Sequence, residues 1–136
     1  MKKIILSLII GAIIISGCSK AVETKQKEDT GTKISYTKIS QDEAKKMMEK
    51  DDGHVIVDVR REDEFASGHI PGAILIPNES IGTDKPAELP DLDQIILVYC
   101  RSGNRSAQAS QKLADLGYTN VFDFGGIMTW TGEIEK

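Results

Sequence analysis

The stretch Ile95-Ile96-Leu97-Val98-Tyr99-Cys100-Arg101-Ser102-Gly103-Asn104-Arg105-Ser106 carries the most information in this chain. An unbroken apolar run leads into a cysteine, and a helical pattern starting near Ser106 leads away from it. A cysteine at the carboxyl end of a buried strand, followed by a short Gly-containing loop and a helix start, sits in an electropositive cup. Backbone N–H groups of the loop can point inward, and the helix amino terminus adds partial positive charge. Such a cup favours a thiolate and holds an anion beside it. Arg101 and Arg105 add two formal positive charges.

Working outward, Val55-Ile56-Val57-Asp58-Val59 is a second continuous apolar strand, the pattern of a parallel sheet covered on both faces. Ser35–Ile39, Ala73–Ile76 and Val121–Asp123 read as shorter strands. Ser40-Gln41-Asp42-Glu43 is a capping box that opens a helix running through Met47 and Met48. Glu62–Ser67 reads as a short helix. A further helix is expected from Ser106 to Leu116, with Gly117 at its C′ position. Pro86 and Pro90 keep residues 78–93 loop-rich. Strands alternating with helices indicate an α/β fold, in which ligands bind at the carboxyl ends of strands. Cys100 and Asp58 both lie at such ends.

The amino terminus reads differently. Met1-Lys2-Lys3 is a basic start, and Ile4 to Ile15 is an apolar run too short to span a bilayer comfortably. Ile15-Ser16-Gly17-Cys18 follows it and resembles a bacterial lipobox. That resemblance implies cleavage before Cys18 and lipid on its thiol and amine. Residues 1–17 are therefore expected to be a lipoprotein signal peptide. Residues 18–33 are expected to be the lipidated cysteine and a polar, flexible tether. The folded domain is expected over 34–136. This places the domain at a membrane, outside the cytoplasm, and Ser19 would permit sorting to an outer membrane where one exists.

The chain has 136 residues, enough for one domain, and only two cysteines. With lipid on Cys18, Cys100 has no partner within the chain and is a reactive thiol rather than half of a disulfide. The net charge is −4, and loss of Lys2 and Lys3 makes the mature chain more acidic still. An acidic chain argues against a nucleic-acid partner. Positive charge around Cys100 is a local exception to the global sign.

Asp58-Val59-Arg60, Glu64-Phe65, Gly68-His69-Ile70-Pro71-Gly72-Ala73, Ile76-Pro77, Cys100 to Ser106 and Gly125-Gly126 together resemble the single-domain rhodaneses. The resemblance covers residues 34–136. It implies a rhodanese-like α/β fold with a five-stranded, mostly parallel sheet and helices on both faces. It implies a sulfurtransferase that moves sulfane sulfur from an anionic donor such as thiosulfate, through a persulfide on Cys100, to a thiophilic acceptor. Cyanide or a thiol, a protein thiol included, would serve as acceptor. The loop Cys100, Arg101, Ser102, Gly103, Asn104, Arg105 would cradle the sulfur. No metal and no organic cofactor is implied, and the protein is expected to act as a monomer. The carboxyl end after Trp130 is short for the family, so the last helix is expected to be abbreviated.

Several residues keep two readings at this level. Arg101 and Arg105 either bind the anionic donor or tie the loop to Asp58, Glu62 or Glu64. Asp58 and Arg60 either rim the pocket or hold neighbouring loops, the second being favoured. His69 is favoured as a hydrogen-bonded structural histidine, since sulfur transfer to a thiolate needs no general base. Ser102, Gly103, Asn104 and Ser106 are expected to act through backbone N–H groups, with Gly103 supplying a positive φ or a close backbone approach. Gly125-Gly126 is expected to turn near the loop, and Trp130 to lie in the core.

Two other functions compete. A persulfide carrier or redox-responsive protein-binding module would use the same Cys100 with little turnover. A phosphatase or arsenate reductase would need Cys-x5-Arg, a wider ring of donors for a tetrahedral oxyanion. Here Arg105 falls one position short and Ser106 stands in its place.

Overall fold

The two continuous apolar runs become inner strands of one sheet. A computed structural model describes residues 33–136. The expected signal peptide, the expected lipid attachment at Cys18 and the expected tether up to Thr32 lie outside the described residues. The elements are β1 (Thr37–Lys38), α1 (Gln41–Met48), β2 (Val55–Asp58), α2 (Glu62–Ser67), β3 (Ile74–Leu75), β4 (Ile95–Cys100), α3 (Asn104–Asp115) and β5 (Asn120–Gly126). Short 3-10 turns occupy Asn78–Ser80 and Ile127–Thr129. The sheet has five strands in the order β1-β5-β4-β2-β3, and every strand pairing is parallel.

Side chains of a strand alternate between faces, and the sheet separates two cores on that rule. Ile96, Val98 and Cys100 of β4 join Val57 of β2 on the face covered by Ala109 and Leu113 of α3. Leu97 and Tyr99 join Ile56 on the other face, covered by Ala44 of α1 and flanked by Phe65 of α2. The face of the sheet that receives α3 therefore also receives the Cys100 side chain. Tyr118, fully buried, donates its hydroxyl to the Leu89 carbonyl at 2.6 Å and pins the long crossover between β3 and β4.

Local chemistry sets the helix starts. Ser40 Oγ accepts the Glu43 N–H at 3.1 Å while the Glu43 carboxylate accepts the Ser40 N–H at 3.1 Å, closing the capping box of α1. α3 begins at Asn104, two residues earlier than the pattern indicates. Gly103 occupies its N-cap in the left-handed region at φ 110°, which turns the chain straight from the loop into the helix. Ser106 lies inside the helix, and its hydroxyl donates backward to the Gly103 carbonyl at 3.1 Å.

The edge strands are shorter than their apolar patterns, two residues each in β1 and β3. β5 is longer, because Gly125 and Gly126 stay in the strand instead of leaving it as a turn. The carboxyl end forms only the 3-10 turn Ile127–Thr129, the abbreviation expected of it. The tail then returns to the body: His69 and Glu135 exchange two backbone hydrogen bonds of 2.8 Å in an isolated antiparallel bridge. Trp130 is half-buried against Phe124 rather than fully in the core. No helix among the described residues is long and apolar enough to cross a membrane.

Candidate active site

Cys100 ends β4, and its residue is 1% exposed. Its Sγ accepts the Gly103 N–H at 3.0 Å, so the loop folds back over the sulfur. The helix α3 starts immediately after, placing its amino terminus and partial positive charge beside that sulfur. Among the described residues Cys100 is a free thiol.

The loop is closed by β5. The ladder between β4 and β5 pairs Val98 with Asp123 and then Cys100 with Gly126, so one residue on β4 faces two on β5. This is a β-bulge, a device that re-aims a strand next to a site. Gly125 takes the extra position at φ 96°. Gly126 passes so close to the loop that a Cβ there would meet the Arg101 carbonyl oxygen at 2.1 Å. The Met128 N–H donates to that same oxygen at 3.1 Å.

The two arginines part company. Arg105 donates two hydrogen bonds to Glu64, Nη1 to Oε2 at 2.8 Å and Nη2 to Oε1 at 3.0 Å. Glu64 Oε2 also accepts the Arg61 N–H at 3.1 Å, so one carboxylate ties the start of α2 to the start of α3. The Arg105 hydrogen bonds hold the Glu64 carboxyl down at about 2, against an ordinary 4.5. The Arg105 guanidinium is raised in turn, chiefly by its hydrogen bond to Glu64. Arg101 is exposed, and its side chain makes no hydrogen bond or ion pair among the described residues.

The other sequence candidates divide cleanly. Asp58 is fully buried and takes a forked pair with Arg60, Nη2 to Oδ2 at 2.7 Å and Nε to Oδ1 at 2.9 Å. Arg60 Nη2 also donates to the Gly68 carbonyl at 2.7 Å. This pair braces the loop after β2 against the loop before β3. His69 stacks on Phe65 with ring centroids 3.8 Å apart and shares a hydrogen between Nδ1 and the Phe65 carbonyl at 2.9 Å. Both arrangements are structural. The Ser106 hydroxyl adds contacts of its own: it reaches Gly103 O at 3.1 Å and Gly125 O at 3.3 Å. Ser102 and Asn104 are exposed on the loop.

A cavity of about 550 Å³ lies elsewhere. It is lined by Met48, His54, Ile56, Ile70 and Trp130, on the α1 face and toward the start of β2. Cys100 and the amino terminus of α3 stand at the opposite end of the strands. Among the described residues no group of three His, Cys, Asp or Glu side chains is placed to hold a metal ion.

Comparison with known proteins decides the family. A profile described as a rhodanese-like domain matches residues 40–133. The chain belongs to the rhodanese-like domain family. Thiosulfate sulfurtransferase PspE of Escherichia coli is 35% identical over 71 residues, covering 52% of this chain and 68% of that protein. Adenylyltransferase and sulfurtransferase UBA4 of Meyerozyma guilliermondii is 37% identical over 91 residues, 61% of this chain but only 21% of that much longer protein. Among solved structures, an E. coli rhodanese with anions superimposes with a TM-score of 0.57 at 31% identity, covering 61% of this chain and 98% of that one. Rhodanese-like sulfurtransferases as relatives support sulfur transfer as the general chemistry of this rhodanese-like domain.

The Glu64–Arg105 pair yields a prediction with a defined sign. A carboxyl held below its ordinary value stabilises the fold above pH 4.5 and loses that contribution as pH falls toward about 2. Glu64→Gln should therefore lower stability at pH 7 by about 1–3 kcal/mol, allowing for solvent screening at this partly exposed site. The gap from the parent should close between pH 4.5 and about 2 in urea titrations at stepped pH. A gap independent of pH would mean that the ion pair does not hold the loop.

Proposed function

We propose that this protein is a thiosulfate sulfurtransferase whose persulfide carrier is Cys100. The observation that supports it best is the Gly103 N–H lying 3.0 Å from Cys100 Sγ at the amino terminus of α3. A donor hydrogen bond and a helix terminus aimed at one sulfur make a place for an anionic donor beside it and suit it to attack sulfur. In the first step the Cys100 thiolate attacks the outer sulfur of thiosulfate. The bond between the two donor sulfurs breaks, and its electron pair leaves with sulfite. Cys100 then carries a persulfide anion, which the same positive end of α3 can stabilise. In the second step cyanide or a thiolate attacks the outer sulfur. The sulfur–sulfur bond on Cys100 breaks, and the thiolate returns.

Arg105 is committed to Glu64, so its role in this scheme is to hold the loop. Arg101, exposed and unpaired among the described residues, is the side chain suited to meet the donor's oxygens and the charge that builds on sulfite. The short loop from Cys100 to Arg105 suits a single sulfur rather than a phosphate. We also assign the amino-terminal segment to membrane attachment, with lipid on Cys18 and the domain of residues 34–136 held outside the cytoplasmic membrane. The support is the basic start, the short apolar run and Gly17-Cys18.

Intact-mass measurement tests the carrier. The parent should gain one sulfur atom on thiosulfate and lose it to cyanide, with thiocyanate released. Cys100→Ser should do neither while keeping its fold by circular dichroism. Turnover of thiosulfate by the serine variant would remove Cys100 from the mechanism.

Arg101→Ala should slow sulfur loading from thiosulfate by about 1.5–3 kcal/mol of lost charged hydrogen bonding, with unloading to cyanide nearly unchanged. Single-turnover kinetics of each half-reaction separate the two. An equal slowing of both halves would assign Arg101 to loop structure instead.

For the anchor, the mature chain should start at a lipid-modified Cys18, and Cys18→Ala should accumulate as unlipidated precursor. Mass spectrometry of the membrane fraction reads both, and a mature chain beginning elsewhere would refute the assignment.

A further inference from the structure

We propose that Asp123 is a positioning residue for the Cys100 loop: its carboxylate fixes the Gly125 bulge against which that loop closes. The inference rests on the sulfurtransferase reading for its kinetic consequence, and on geometry alone for its structural one.

Asp123 sits in the middle of β5 and is fully buried. Its neighbours in β5, Val121 and Phe124, are buried apolar residues. A carboxylate in such surroundings is unfavourable unless hydrogen bonds and an opposite charge offset its desolvation. Oδ1 accepts the Gly125 N–H at 3.0 Å. Oδ2 lies 3.5 Å from Nζ of Lys38, whose side chain is 69% exposed, so that partner is long and solvated. An apolar side chain would serve the sheet without this burden. What the carboxylate does specifically is capture the N–H of the bulge residue.

From there the contacts run directly to the sulfur. Gly125 O accepts the Ser106 hydroxyl at 3.3 Å, and that hydroxyl also reaches Gly103 O at 3.1 Å. Gly103 N–H lies on Cys100 Sγ at 3.0 Å. The next residue, Gly126, packs against the Arg101 carbonyl, where a Cβ would come within 2.1 Å. The bulge thus holds the loop at Arg101 and at Gly103, on both sides of the space beside the sulfur. Asp123 touches neither the cysteine nor a donor. It acts through Gly125, Ser106 and Gly103.

The test uses the full chain carrying Asp123→Val, which keeps a β-branched side chain in the strand but removes the acceptor. Asp123→Asn keeps an oxygen at Oδ1. Tyr118→Phe loses the hydrogen bond to Leu89 far from the loop and serves as the destabilised control. Hydrogen–deuterium exchange over residues 100–106 should speed about tenfold in Asp123→Val, with exchange in β2 unchanged. The saturating rate of sulfur loading from thiosulfate should fall about tenfold to a hundredfold, as expected when a reacting group loses its placement. Asp123→Asn should return both readouts to within about threefold of the parent. Tyr118→Phe should lower the unfolding midpoint and move neither. Should the valine chain not fold, Ser106→Ala breaks the same line of contacts and should speed exchange over 100–106 alike. A valine variant altered only in unfolding midpoint would overturn the proposal. So would an asparagine variant as damaged as the valine one, or a Ser106→Ala chain with parental exchange. If the parent itself fails to load sulfur, the sulfurtransferase reading falls, while the exchange data still decide the role of Asp123.

Discussion

Where Gly126 passes the Arg101 carbonyl there is no room for a Cβ, and the site is arranged around that close approach. β5 can come so near only because its ladder with β4 slips by one residue between Val98 and Cys100. The slip in turn needs Gly125 at a positive φ. With β5 in place, the loop after Cys100 has a floor: Met128 N–H joins Arg101 O to the 3-10 turn that follows β5, and the Ser106 hydroxyl reaches Gly125 O within β5. Gly103 then bends back far enough to bring its N–H onto Sγ. Remove the close approach and the loop loses the surface that shapes it.

Around that centre the chain spends its arginines unequally. Arg60 is buried with Asp58, and Arg105 is locked to Glu64, so both cations are neutralised within the fold. They tie the loop after β2 to the loop before β3, and the start of α2 to the start of α3. The start of α3 brings its partial positive charge beside the sulfur.

The sequence declared most of this through local patterns. Val55–Val57 and Ile95–Tyr99 are apolar on both faces, the pattern of a strand covered on both sides. The capping box at Ser40 and Glu43 is a contact between residues three apart, so it can be read without a structure. The edge strands are shorter than their patterns because β-propensity extends beyond the two pairs each actually makes. Gly125-Gly126 resembles a turn, and only the neighbouring strand shows it to be a bulge. The hydroxyl of Ser106 and the carboxylate of Asp123 escaped notice for the same reason. Their roles lie in contacts with residues brought close by sheet order, such as Gly125 against Ser106, 19 positions apart. Arg105 and Glu64, 41 positions apart, were legible only as one of several pairings.

The alternation along β4 has a further consequence. Cys100 faces α3 because Ile96 and Val98 do, while Leu97 and Tyr99 face α1. Parity, as much as residue identity, puts the sulfur on its side of the sheet. Losing or gaining a single residue within β4 would turn the Cys100 side chain into the opposite core and the hydrogen bond from Ile70 N–H to the Tyr99 hydroxyl toward the wrong face. Length variation in this strand is thus restricted to steps of two, whereas the loop beyond Cys100 is free of that rule. The strand behaves as a binary setting on which the chemistry of the loop depends.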